Sequence, residues 1–183
     1  DITIQMLSRI MEIKGMERKM FMISYPHPSI PKIMNRYKIN SWLCIYDARD
    51  DWDEFEKVGQ AKWYSVSNEK YIVSNSDLVT AVSTELCQKL DFYEPKKPVI
   101  LSRNALDEDF LSKDYKRTKT NEIVIGYFGH LTGSWFDWES LILIAEKCSK
   151  YRFEIIGHSG PVDLKLPTNI HLLGPKNSIE IND

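Results

Sequence analysis

Three glycine-bearing turns in the last third of the sequence carry residue types suited to binding an anion. Apolar runs end at Gly129, Gly157 and Gly174, and His130 and His158 each follow one of the first two glycines. A glycine lets a ligand approach the backbone closely, and an imidazole can donate to a phosphate oxygen or carry a proton. The alternative interpretation is ordinary turn geometry with surface histidines. The residues alone leave both interpretations open.

The first of these turns lies in residues 123–135, which combine an apolar run, a loop containing Gly133 and the approach to a helix that begins near Asp137. Free N–H groups at a helix start favour phosphate. The glycine spacing matches neither the dinucleotide fingerprint nor the P-loop, since no Gly-Lys-Ser/Thr follows. Ser134 with Asp137 resembles a capping box.

A carboxylate cluster follows an earlier apolar run, at Asp47, Asp50 and Asp51. These side chains can act as a general base, bind the hydroxyls of a polyol, or hold a hard metal ion. The alternative is a solvated loop in which Arg49 neutralises a neighbour. His27, between two prolines after the first apolar run, can face the same cleft as His130 and His158.

The composition excludes several classes of protein. Hydrophobic residues make up 43% and charged residues 27% of the chain, as in ordinary globular proteins. A net charge of -2 gives no overall field that would attract nucleic acid. Cys44, Cys87 and Cys148 form no CxxC pair, so neither a disulfide framework nor a zinc site is expected, and a reducing compartment fits best.

Short apolar runs alternate with helical patterns along the chain, which predicts two doubly wound parallel α/β sheets. Residues 112–122 are polar and lack periodicity, which is typical of a hinge. We therefore predict one domain over 1–111 and a second over 123–183. Strands are expected at 19–24, 42–46, 78–82, 98–101, 123–128, 152–156 and 169–173.

Both ends of the chain look interrupted. Residues 2–14 begin directly in a helical pattern, with Ile4, Leu7 and Ile10 on one face. Near the other end, Asn177 followed three residues later by Glu180 is typical of a helix N-terminus. The expectation is a fragment in which both domains are incomplete.

Several stretches resemble glycosyltransferase family 4, a large retaining family of the GT-B fold that includes sucrose and glycogen-type synthases. The acidic segment 46–52 and the turn 135–137 are similar to a subgroup that acts in cell-surface polysaccharide synthesis. The stretches that carry the resemblance are Ser76–Ser83 with Leu86 and Leu90, Asn104–Asp107 with Phe110, Ile125–Gly129, Phe153–Gly157 and Leu166–Gly174.

The resemblance implies two facing Rossmann-like domains and a retaining transfer of a sugar from a nucleotide diphosphate sugar to a hydroxyl acceptor. No catalytic residue is assigned, and His27, Asp47 and Asp50 are the candidates. The acceptor-side residues are Asp47, Arg49 and Asp50. The donor-binding residues are Gly129, His130, Gly157, His158, Gly174, Pro175 and Lys176.

The resemblance also implies that no metal or cofactor is needed, because the nucleotide sugar is a substrate. The expected partners are this donor and a saccharide or lipid-linked acceptor, without nucleic acid. A cytoplasmic location is expected, with peripheral contact at the inner face of the membrane left open.

Two departures from the family pattern leave other functions open. Ala105 replaces the glycine of the usual Asn-Gly pair, and the Glu-x7-Glu region that holds the donor would follow residue 183. The alternatives are a non-catalytic α/β module that binds a nucleotide or a partner, and another GT-B enzyme such as a nucleotide-sugar epimerase.

Overall fold

The chain folds into parallel α/β units. The computed structural model describes residues 19–39, 42–106, 108, 122–160, 163–177 and 180. The chain divides into two compact units, Asp1–Ser112 (unit 1) and Lys113–Asp183 (unit 2). The predicted helix over 2–14 and nearly all of the predicted hinge, residues 112–121, lie outside the described residues.

Unit 1 contains a four-stranded sheet in which neighbouring strands are parallel and follow the order of the chain. Helices separate its strands, which is the Rossmann-like arrangement that the alternating apolar runs predict. Its elements are β1 (Met20–Ile23), α1 (Ile30–Ile39), β2 (Leu43–Ala48), α2 (Trp52–Lys57), α3 (Val66–Asn75), β3 (Leu78–Ala81), α4 (Thr84–Asp91) and β4 (Ile100–Leu101).

Unit 2 contains a three-stranded parallel sheet in the order β5-β6-β7. These strands confirm the predicted parallel α/β class. The elements are β5 (Val124–His130), α5 (Trp138–Lys147), β6 (Arg152–His158) and β7 (Ile170–Gly174). None of the helices that the structure describes has the length and hydrophobicity that a membrane crossing requires.

Alternation along the strands builds the core of unit 1. Cys44, Tyr46 and Ala48 of β2 are fully buried, and so are Val79 and Ala81 of β3. Because successive side chains of a strand point to opposite faces, these residues share one face of the sheet. The helices α3 and α4 contribute Ile72, Val73, Leu86 and Leu90 to the same cluster.

Unit 2 has a smaller core that anchors the loop after β5. Phe153 and Ile155 of β6 pack with Leu131 and Trp138, which are all buried. The indole Nε1 of Trp138 donates to the Leu131 carbonyl over 2.9 Å, which satisfies the buried donor. The loop is thus held from its first residue to the start of α5.

Local capping explains where several helices begin. The Ser83 side chain accepts from the Leu86 N–H over 3.1 Å, as predicted from the sequence. The Asn177 and Glu180 side chains each accept from the other residue's backbone N–H, over 3.0 and 2.9 Å, which confirms the predicted capping pattern. The predicted capping box at Ser134 is wrong, because Asp137 itself is the N-cap of α5.

Glycine is required at two strand ends for different physical reasons. A Cβ atom at Gly157 would lie 2.1 Å from the carbonyl oxygen of Gly129 and 2.8 Å from Cγ of Leu131. The pairing of β5 with β6 therefore tolerates only glycine at this position. Gly174 has open space around it but a φ of 73°, which L side chains rarely adopt.

We expect Gly157→Ala to lower the free energy of unfolding by about 1–3 kcal/mol, since the added methyl group overpacks the backbone of β5. Gly126→Ala is the matched control, because a Cβ atom there meets nothing within 4 Å. Urea unfolding of both variants measures the difference. Equal stability of the two variants would contradict the requirement for glycine at position 157.

Candidate functional site

The carboxyl ends of β5, β6 and β7 lie at one edge of the unit 2 sheet. Gly129 pairs with Gly157, and His130 pairs with His158. Gly174 pairs with Ile156 on the other side, after a register shift. We call Gly129, His130, Gly157, His158 and Gly174 the strand-end edge. Parallel pairing thus brings together the residues that the sequence analysis offered for donor binding, while their role in binding stays a prediction.

The two histidines of the strand-end edge form an exposed pair. Their ring centroids lie 4.7 Å apart, with the ring planes at 86°. The His158 Nδ1 atom lies 3.3 Å from the Ser159 Oγ atom, and the His130 carbonyl accepts from the Tyr127 hydroxyl over 3.2 Å. Two adjacent imidazoles can donate together to the oxygens of one anion.

Pro175 and Lys176 continue directly from the strand-end edge, and both are exposed. Lys176 forms no ion pair with the described part of the chain. Its ammonium group therefore adds an available positive charge after β7, where the resemblance predicts contact with the nucleotide.

The start of α5 already carries a carboxylate of its own. Asp137 accepts from the Ser140 N–H over 3.0 Å and from the Ser140 hydroxyl over 2.6 Å. These hydrogen bonds hold the pKa of Asp137 below its ordinary value. The N–H group of Ser140, one of those offered to phosphate at this helix start, is therefore already bonded.

The predicted carboxylate cluster of unit 1 separates into differently partnered groups. Asp47, at the end of β2, accepts from the Thr80 hydroxyl of β3 over 2.6 Å. Asp51 accepts from the Lys89 ammonium over 2.5 Å, and Asp53 lies 3.4 Å from the same ammonium. Lys89 and Thr80 are partners that sequence reasoning missed.

Asp50 and Arg49 remain exposed beside this cluster. Desolvation raises the pKa of Asp50, and the charge of Arg49 opposes that rise. In the part of the chain that the structure describes, no three His, Cys, Asp or Glu side chains are arranged to hold a metal ion.

His27 lies beyond the end of β1, at the same sheet edge as Asp47. Its Nδ1 atom accepts from the Ser29 N–H over 3.3 Å and lies 2.8 Å from the Ser29 hydroxyl. Its ring centroid lies 5.7 Å from that of Trp63. No hydrogen bond joins His27 to Asp47 or Asp50 among the described contacts, so these candidates do not form a connected dyad.

A buried carboxylate, that of Glu69, connects α3 to β2 in unit 1. Glu69 of α3 is 1% exposed and accepts from the Tyr46 hydroxyl over 2.6 Å and from the Tyr64 hydroxyl over 2.8 Å. Desolvation raises the pKa of Glu69, although both hydroxyl groups and the charge of Lys89 oppose the rise. Burial raises the pKa of Tyr64 as well.

The raised pKa of Glu69 determines the direction in which stability changes with pH. Between the ordinary value of 4.5 and the raised value, the folded state binds more protons at Glu69 than the unfolded state does. The stabilising contribution of the protonated carboxyl is therefore lost as pH rises through this window.

We expect wild-type stability to fall relative to Glu69→Gln as pH rises above 4.5. Glutamine keeps the shape and an acceptor but does not titrate. Urea unfolding of both proteins at several pH values measures the difference. A stability difference that stays constant, or one that changes in favour of the wild type as pH rises, would exclude a raised pKa at this carboxyl.

Comparison with known proteins bears on the fold. No protein-family model and no curated protein matches the sequence. The structure is similar to the crystal structure of TarM, a glycosyltransferase of GT-B type, with a TM-score of 0.62 and 15% sequence identity. The similarity covers 94% of this chain and 36% of the TarM chain. The chain thus has two Rossmann-like α/β units of the GT-B type and spans 36% of the length of that structure.

Proposed function

We propose that the chain is part of a retaining glycosyltransferase that moves a sugar from a nucleotide diphosphate sugar to a hydroxyl acceptor in polysaccharide or glycoconjugate synthesis. The fold shared with TarM supports a transferase of this type. The observation that carries the proposal is the pairing of Gly129 with Gly157 and of His130 with His158 at one sheet edge. Ligands of open α/β sheets bind outside the carboxyl ends of the strands.

The strand-end edge has the chemistry for the donor's diphosphate. Gly174 has open space where a side chain would lie, so a ligand can approach the backbone there, and the imidazoles of His130 and His158 supply adjacent donors. Pro175 and Lys176 extend the donor site beyond Gly174 towards the nucleotide. Negative charge grows on the diphosphate oxygen as the bond to the anomeric carbon breaks, so donors directed at that oxygen accelerate the reaction.

The proposed acceptor-side residues are Asp47, Arg49 and Asp50 of unit 1. Carboxylate oxygens accept hydrogen bonds from acceptor hydroxyls and can orient the oxygen that attacks the anomeric carbon. The attacking hydroxyl must release its proton, and His27, Asp47 and Asp50 are the candidates to receive it. The observed Thr80–Asp47 hydrogen bond would hold the Asp47 carboxylate in one orientation.

The proposal includes no metal ion or cofactor, because the nucleotide sugar is itself a substrate. The acceptor is a saccharide or a lipid-linked molecule. The proposed location is cytoplasmic, with peripheral contact at the inner face of the membrane.

We expect His158→Ala to weaken binding of UDP, GDP or ADP, whichever the protein binds, by about tenfold or more. A hydrogen bond to a charged group contributes about 1.5–3 kcal/mol, and 1.4 kcal/mol corresponds to tenfold. His171→Ala is the matched control, because His171 is on β7 and outside the strand-end edge. Isothermal titration calorimetry measures both affinities.

Unchanged affinity in His158→Ala, or an equal loss in both variants, would remove the histidine pair from the site. In a protein extended past residue 183, to include the Glu-x7-Glu region that the resemblance implies, nucleotide binding without sugar transfer to any saccharide would favour the non-catalytic module instead. Conversion of the nucleotide sugar without an acceptor would favour the epimerase. The three outcomes separate the proposed enzyme from its alternatives.

A further inference from the structure

A pocket of about 710 Å³ opens beside the end of β1 in unit 1. Its walls are mostly apolar and include Phe21, Met22, Ile30, Ile33 and Trp63. The lining also includes Ser24, Tyr25, His27 and Ser29, and no Asp, Glu, Lys or Arg is among the described residues that line the pocket. An occupant that matches these walls is uncharged and mainly hydrocarbon, since a charge would lose its hydration without gaining a partner.

A cluster of aromatic rings stands behind this pocket. The Trp52 ring lies 5.0 Å from the Tyr25 ring and 5.5 Å from the Trp63 ring, measured between centroids. Trp52 is 7% exposed, and its buried Nε1 has no hydrogen-bond partner among the described residues. An unpaired buried donor costs about 1–3 kcal/mol. Tyr25 and Trp63 of this cluster line the pocket, so their rings form part of its wall.

His27 lines the pocket with an imidazole that can donate a hydrogen bond. Its Nδ1 atom accepts from the Ser29 backbone N–H, and a nitrogen that accepts in this way carries no hydrogen. In the tautomer that places the hydrogen on Nε2, this nitrogen makes no hydrogen bond within the described part of the chain. An oxygen acceptor on the occupant would satisfy this N–H group.

We propose that this pocket binds an uncharged hydrocarbon group that carries an oxygen acceptor, the chemistry of an alkyl alcohol or ether. The hydrocarbon packs between Met22, Ile33 and Trp63, and the oxygen accepts from His27 Nε2. A sugar ring fits less well, because its several hydroxyls would find few polar partners on these walls. The inference concerns unit 1 alone and does not require donor binding at the strand-end edge.

A series of linear alcohols tests the proposal, with 1-butanol, 1-hexanol and 1-octanol as probes and tryptophan fluorescence and ligand-observed NMR as readouts. We expect saturable binding that strengthens about fourfold for each added methylene group, as burial of hydrocarbon predicts. Affinity that does not depend on chain length would overturn the proposal. So would methyl glucoside displacing the probe as well as an alcohol does.

Two methionines of β1 provide a matched pair of variants. Met22 lines the pocket and is 61% exposed, whereas Met20 is 63% exposed on the same face of the strand and does not line it. We expect Met22→Trp to fill the pocket and weaken 1-octanol binding by at least about tenfold, whereas Met20→Trp leaves it unchanged. Both positions are exposed, so neither variant disturbs the core. Equal affinities in the two variants would place the alcohol elsewhere.

The role of His27 has its own test. His27→Phe keeps a flat ring but removes the Nε2 donor, so 1-octanol should bind about fivefold more weakly, as expected for one hydrogen bond. Benzene, which has no oxygen acceptor, should bind the two proteins alike. An equal change for both probes would exclude the hydrogen bond. Nucleotide binding in unit 2 is measured separately, so failure here leaves the proposed transfer function intact.

Discussion

Parallel pairing of β5 with β6 brings the Gly157 backbone against the Gly129 carbonyl more closely than any side chain permits. The same register sets His130 beside His158 at the exposed edge of the sheet. Gly157 therefore has a packing reason that is independent of any ligand. The strand-end edge is a candidate site because the same register places two exposed imidazoles at the carboxyl ends of the strands. Open α/β sheets bind ligands at this position.

Unit 1 has a different feature, the buried carboxylate of Glu69 in its core. Glu69 joins α3 to β2 through Tyr46 and is also bonded to Tyr64. Removing one partner of such a network leaves a buried polar group unpaired, which is more damaging than never having built the network. Lys89 binds Asp51, whereas Asp47 accepts from Thr80 of β3. A contact from a neighbouring strand therefore positions Asp47, one of the candidate acceptor residues.

Local patterns predicted most of the fold, and long-range contacts account for what was missed. The caps at Ser83 and Asn177 are local interactions, so short sequence patterns reveal them. Burial of Glu69 depends on a tyrosine 23 residues away, and the partner of Asp51 is 38 residues away. The histidine pair was within reach of sequence reasoning, because both residues follow a strand-end glycine and parallel pairing aligns such positions. Its ring geometry was not.

The proposed function depends on binding of a nucleoside diphosphate at the strand-end edge of unit 2. Backbone amide NMR of the isotope-labelled protein during titration with UDP, GDP and ADP detects such binding residue by residue. If the nucleotide binds there, the largest shifts fall on Gly129, Gly157, Gly174 and their immediate neighbours for at least one nucleotide. Shifts centred on Val124, at the opposite end of β5, or no shifts in unit 2 with any nucleotide, would contradict binding at the strand-end edge.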